Sequence, residues 1–561
     1  YNLTSPLSFS AFIRTSSDDR ALPVITSSAP EICVGSTLDL SATHWDAGSI
    51  IDYEWLIYPD ATTPNPASYT FKGTSAAYTT PAFTFTGTYI IRYRELHSCC
   101  GWSRPAYKTV IVKAPAITGL ATNDFVWAGG TDLYWGTPSN WIKYNAATQL
   151  FNLLSSSDSP PSSGDNVYIR ATTGCPASDE AHIAVGATAS CKNITIESTL
   201  TMDNNSQLNV SGNWNNAGTF NPGAETVTFN GTGTQTITTG GTGAGKVFNN
   251  VTVNKSSGSA TLAGAIDING NFTLSAGTWD VGASNYAMSV GGNWTNSGTF
   301  TPQSGTVTFD GTGAQTITTG GTGAGKPFNN VTVNKSGTAT LAGAIDINGS
   351  FTLSAGSWDV SSNNYAMSVA GNWTNNATFT PQAGTVTFDG SGAQTINTGG
   401  TGAGKPFNNV TVNKSGTATL ASDIYILGNF SISSGTWAAG SLNMFVLGNW
   451  VNSGIFSCGT GTVIFNGAAQ QITSGNGSGN GKFYNVAFYN TSTTLNDAMT
   501  INGLGTFQLG IVSGGSLTFG STATTNGGTQ FSFYNGTVTK TGPNAADFKF
   551  PTGSGLKGAP I

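Results

Sequence analysis

Apolar and polar residues alternate along most of the chain in runs only three to five positions long, such as VTV, IDI, MSV and VTF, with Gly, Asn, Thr and Ser between them. A period of two puts alternate side chains on opposite faces of an extended backbone. Val251 and Val253, Ile266 and Ile268, and Phe272 and Leu274 therefore point one way, with Thr, Asp or Asn between them. The pattern predicts many short strands, each with one apolar face.

The strands repeat. Gly-Asn-Trp recurs with Trp214, Trp294, Trp373 and Trp450, and a second tryptophan recurs as Trp279, Trp358 and Trp437. One unit of about 80 residues holds strand-like pieces starting near Val251, Ile266, Met288 and Val307, and the next unit starts at Val331. One strand per roughly 20 residues matches one coil of a parallel β-helix, whereas a propeller blade needs four antiparallel strands in about 40–45. The expected fold from Lys192 onward is a right-handed β-solenoid of about 18 coils, each rising roughly 4.8 Å. Phe248, Phe328 and Phe407, at equivalent places in successive units, are expected to stack as an interior ladder. The Asn249-Asn250, Asn329-Asn330 and Asn408-Asn409 turns are expected to do likewise.

Composition supports an all-β chain. Gly 74 and only 9% charged residues disfavour helices, whose surfaces use Ala, Leu, Glu and Lys. The net charge of −6 is spread thinly with no Lys/Arg cluster, which argues against nucleic acid as a partner. No run of 18 apolar residues is present to span a membrane. The chain opens at Tyr1 without a basic and apolar leader, so a secretion signal is expected to have been removed or to lie outside this numbering.

The segment from about Pro30 to Lys113 reads EICVGSTLDLSA, DYEWLIYP, TFTGTYIIRYRE and TVIVK. It resembles the PKD-type Ig-like sandwich domains of bacterial secreted proteins. That resemblance implies a core built on Trp55 and a disulfide from Cys33 to either Cys99 or Cys100. Further on, FVWAGGTDLYWGTPSNWI and GDNV resemble the opening of bacterial surface β-solenoids, which implies that Trp127, Trp135 and Trp141 cap the first coil. Cys175 and Cys191, about one coil apart, are candidates to staple that cap, leaving Cys458 unpaired. The late segment FYNGTVTKTGPNAADFKFPTGSGLKGAPI resembles a part of large surface proteins exported by the type IX secretion route. The resulting domain plan is 1–29 as an extended docking strand or linker, 30–116 as the Ig-like domain, 117–190 as cap and solenoid start, and 191–561 as β-helix repeats.

Candidate chemistry is sparse. GGTGAGK at Gly240–Lys246, Gly320–Lys326 and Gly399–Lys405 fits a phosphate loop as far as its lysine, but Val247, Pro327 or Pro406 follows where Ser or Thr must hold magnesium, and a strand follows instead of a helix. These are read as turns. Asp267 and Asp346, Asp280 and Asp359, and Asp310 and Asp389 recur one unit apart, whereas an active site is normally unique, so they are read as solvated edge charges. His44, His97 and His182 lie far apart in sequence and outside the repeats, and no zinc spacing occurs. The sequons at Asn250, Asn293 and Asn330 follow from Asn turns preceding strands.

The expectation is a non-catalytic extracellular protein of the bacterial surface with no cofactor and no metal, acting as a stiff stalk or fibre subunit. Its expected partners are copies of itself or a surface anchor, with YNLTSPLSFSAFI a candidate donor strand and a glycan a candidate ligand. The alternative is a carbohydrate-binding or polysaccharide-cleaving β-helix.

Overall fold

The computed structural model describes residues 23–33, 37–44, 49–59, 69–73, 75–81, 83, 87–98, 101–113, 119–129, 132–147, 150–170, 180–475, 481–542 and 548–551. The candidate donor strand, Cys99, Cys100 and Cys175 lie outside these residues, as does the side chain of Cys33. The fold is all-β, 56% strand. It forms two compact units, one of residues up to Leu133 together with Thr137–Pro160, the other of Tyr134–Gly136, Pro161–Arg170 and the chain from Glu180 onward.

In the first unit two sheets face each other. Ile25–Ser27, Asp39–Ala42 and Ala77–Thr79 form one, so residues 25–27 belong to the sandwich and not to the extended opening segment. The other runs Glu31–Cys33, Ala106–Lys113, Gly87–His97, Ile50–Pro59, Tyr69–Gly73, with Gly101–Trp102 added to Gly87–His97. Trp55 is fully buried between the sheets, its ring 4.4 Å from Tyr93 and 6.3 Å from Tyr78. Cys33 lies opposite Lys113 on the neighbouring strand; the disulfide implied for this domain involves Cys99 or Cys100, which lie outside the described residues. Later in this unit, Phe125–Trp127, Trp141–Asn145 and Leu150–Leu153 make an antiparallel meander on which Trp127 and Trp141 pack edge to face at 5.0 Å.

The second unit is a β-solenoid of about 17 turns, about 80 Å of stacked parallel strands. Parallel pairing begins where Val167 lies opposite Ile194, ahead of Lys192. Glu180–Ile183 pairs with Thr199–Met202, so His182 stands on the solenoid, contrary to the expectation that the solenoid lacks histidine. Trp135 belongs to this unit, its N–H donating to the His182 carbonyl, while Trp127 and Trp141 belong to the other.

The coil has three strand positions. Val251 lies opposite Phe272, Ala260 opposite Trp279 and Ile266 opposite Met288, so Val251 to Ile266 is a step within one coil and not a step between coils. On one face the stack runs Trp214, Ile237, Leu262, then Trp279 and Phe300. Phe300 donates to the Gly325 carbonyl, and Phe328 lies opposite Ile347. The stack continues through Met367, Val386, Val410 and Phe430 to Trp450. Trp214 and Trp450, three units apart, are thus separated by eleven coils on one face. Each unit advances by three and two-thirds coils, and Trp294 and Trp373 stand on the other two faces.

This rotation overturns the expected ladders between units. Phe248 touches Trp214, Phe220 and Phe229, and Phe328 touches Trp294, Phe300 and Phe309. A different aromatic path fills the bore, Trp214 to Phe229, Trp279, Phe272, Trp294, Phe309 and Trp358. It goes on through Phe351, Trp373, Phe388, Trp437, Phe430 and Trp450 to Phe465, Phe488 and Phe507. Each ring pair adds about 0.5–1.5 kcal/mol beyond burial of its area. Asn ladders likewise join neighbouring coils: the Asn250 Oδ1 accepts from Asn271 N, and Asn271 Oδ1 from Asn293 N.

Candidate functional site

The three Gly-rich loops are turns closed by their own lysines. Gly240, Gly241 and Gly245 take positive φ, which lets the chain fold back until Lys246 Nζ reaches the carbonyls of Asn216 and Gly218 on the preceding coil. Lys326 does the same to Asn296 and Gly298, and Lys405 to Asn375 and Ala377. Burial lowers the pKa of all three. The lysine that a phosphate loop would offer to an anion is committed here to backbone.

A second set of lysines escaped the sequence reading. In Val251-x-Val253-x-Lys255 the alternation that turns the valines inward turns the lysine inward as well, and Lys255, Lys335 and Lys414 are all buried. Lys255 Nζ donates to Gly231 O at 2.7 Å, Gly233 O at 2.9 Å and Gln235 Oε1 at 2.6 Å. Gln235 Nε2 in turn donates to the carbonyls of Val210 and Gly212. Lys414 donates to Gln394 Oε1, and Lys335 to Gly313 O. Burial lowers all three lysines, Lys255 to about 8. Asp310 opposes that shift at Lys335, and Asp389 at Lys414, whereas Asn230 occupies the equivalent place beside Lys255.

The aspartates of these turns are not freely solvated. Asp267 and Asp310 are raised by burial, Asp267 also by the charge of Asp310, and Asp346 and Asp389 repeat the arrangement one unit on. They differ from Asp280 and Asp359, which accept from the backbone N–H groups of Gly282 and Ser361 in exposed turns.

In the sandwich, phase again places charge inside. Tyr89, Ile91, Tyr93, Glu95 and His97 all face the core from one strand. The buried Glu95 carboxylate meets His44 Nδ1 at 2.9 Å, Tyr93 Oη at 2.7 Å and His97 Nε2 at 3.0 Å. Two of the three histidines, 53 residues apart in sequence, thus share one carboxylate. The third, His182, lies between Asp203 and Glu180. Among the described residues no group of three or more His, Cys, Asp or Glu could hold a metal ion.

Cys191 is a free thiol buried in the bore, its pKa raised by burial, where a staple to Cys175 was expected. Cys458 is free and partly buried. No helix of the described residues is long and apolar enough to cross a membrane. The tryptophans divide into two kinds. Trp279, Trp358 and Trp437 donate to the sulfurs of Met288, Met367 and Met444, while the indole N–H groups of Trp214, Trp294, Trp373 and Trp450 are buried without a hydrogen-bond acceptor among the described residues. Of the sequons, Asn250 spends its carboxamide on Asn271 N and Ala224 O. Compared with protein-family models, with curated proteins and with solved structures, the chain matches none.

Proposed function

We propose that this chain is a non-catalytic structural protein of the bacterial exterior, a stiff stalk or fibre subunit of the kind exported by the type IX route. The observation that carries this reading is the unbroken stack of coils filled by one aromatic path from Trp214 to Phe507. Each coil contacts only its neighbours, so bending must open strand pairs and separate rings at the same time. The rotation of successive units supports the same reading. Equivalent surfaces turn by a third of a circle from unit to unit, so no face offers an aligned row of identical sites of the kind a repeated catalytic or lectin surface uses. The thinly charged exterior suits a spacer that must not adhere nonspecifically.

Electron microscopy of the purified chain is the test. Straight particles of constant length support the stalk, and sedimentation over a wide concentration range separates a monomeric stalk from a fibre subunit. Particles bent at variable points along the repeats would overturn the proposal.

A further inference from the structure

The repeating units serve as internal controls for one another, and the last of them departs from the rest on its outside. Outward positions on one face of the second unit are Asp346, Ser368 and Thr387, stacked one coil apart. The same positions one unit later are Tyr425, Phe445 and Ile464, again stacked one coil apart and followed by Ala487 and Thr506. The flanking position changes too, Asn348 giving way to Leu427, which is 43% exposed. From Gly186 to Ile426 no large apolar side chain is exposed, whereas Leu427 at one end of this strip and Tyr489 and Leu504 at the other are. The bore beneath is unchanged, Ile345, Met367 and Val386 corresponding to Ile424, Met444 and Val463, so packing does not require the exchange. Exposed apolar surface gathered in one place on an otherwise polar surface marks a contact site.

We infer that this strip is a binding site for a neutral oligosaccharide. The rings of Tyr425 and Phe445 stack at 5.6 Å, and beyond them Ile464, Ala487, Tyr489 and Leu504 line a shallow pocket of about 260 Å³. Uncharged polar groups complete the pocket, Thr462 and Thr506 among them, and no charged side chain lines it. Tyr489 is 48% exposed at its rim. Rings and branched aliphatics receive the C–H faces of pyranoses while hydroxyls and amides meet sugar hydroxyls, and an uncharged lining selects against acidic polymers. Size excludes the competing occupant. Four coil steps span about 19 Å, which presents on the order of 200–300 Å². A stable contact with a second copy needs roughly 800 Å² on each side.

The test uses the whole chain titrated calorimetrically with cellohexaose, xylohexaose and laminarihexaose. Saturable binding of at least one is expected. The combined variant Tyr425→Asp, Phe445→Ser and Ile464→Thr carries the residues that the same register holds one unit earlier, and it should bind at least tenfold more weakly while keeping its circular dichroism. Tyr489→Ala alone should weaken binding several-fold, and Asp346→Asn on another face should leave it unchanged. No saturation by any of the three sugars overturns the assignment, as does equal affinity in the combined variant. Loss of concentration-dependent self-association in that variant, without sugar binding in the parent, would also overturn it, in favour of a contact between copies.

Discussion

The sandwich and the solenoid both turn an ionisable side chain inward on an otherwise apolar strand, and they compensate it by opposite means. The sandwich buries an acid, Glu95, and surrounds it with side chains drawn from separate segments, His44 among them, 51 residues away. The solenoid buries a base, Lys255, and satisfies it with backbone carbonyls and one glutamine from the preceding coil, 20–24 residues back. The first solution is specific to one place in one core. The second uses groups that the unit itself supplies, so it can be copied in part: Lys335 keeps a carbonyl contact at Gly313 and Lys414 the glutamine contact at Gln394, each with an aspartate nearby. A repeat architecture favours compensation that is local and backbone-based, because each copied unit then brings its partners with it.

The largest expected effect lies in the sandwich. Glu95→Ala leaves two histidines and a tyrosine facing an empty acceptor site and should cost about 3–5 kcal/mol. In calorimetry the sandwich transition should move while the solenoid transition stays; a common shift of both would break the comparison. In the solenoid, Lys335→Met strands the Gly313 carbonyl and should cost about 1–3 kcal/mol, read as a lower denaturant midpoint for the repeats alone.

Subtler effects come from charge. Burial holds Lys255 near 8, so between pH 8 and 10.5 the unfolded chain keeps a proton that the folded chain has lost, and this group makes stability rise with pH across that window. Asn230→Asp installs the carboxylate found beside Lys335 and Lys414, which favours the protonated lysine, so the onset of that rise should move above pH 8, as denaturation curves at several pH values would reveal. The smallest effect is expected for Asp267→Asn. Asp267 is raised by burial and by Asp310, so its ionised form costs stability at neutral pH, and the cost disappears as pH falls and the carboxyl protonates. The substitution should gain a few tenths of a kcal/mol at pH 7, discounted for its partial exposure, and nothing in acid.

Strand phase proved the most legible signal in the chain. It placed Val251, Ile266, Phe272 and their counterparts in the bore, and the repeated Gly-Asn-Trp placed the unit boundaries. The same phase, followed past residue type, also turns Lys255 and Glu95 inward, against the polarity of their side chains. The path of the coil was less legible. Ile266, Met288, Val307 and Val331 do stack, but Val251 stacks on Phe272, and the aromatic-rich strands between the obvious motifs supply the positions that make eleven per unit. The histidine cluster was hidden because it depends on strand order within a sheet, which spacing along the chain does not encode.

The fractional advance of each unit ties two quantities that are independent in most stalks. The units are close copies of one another in amino-acid sequence, so the shaft can change length by whole units. One unit more lengthens the shaft by about 18 Å and also swings everything beyond it through a third of a turn, whereas three units more lengthen it by about 53 Å and return the distal end to its original bearing. Variation in copy number therefore acts as a stepped dial as well as a ruler. Lineages that must keep a distal strip such as Tyr425–Phe445 facing one direction would gain or lose units in threes.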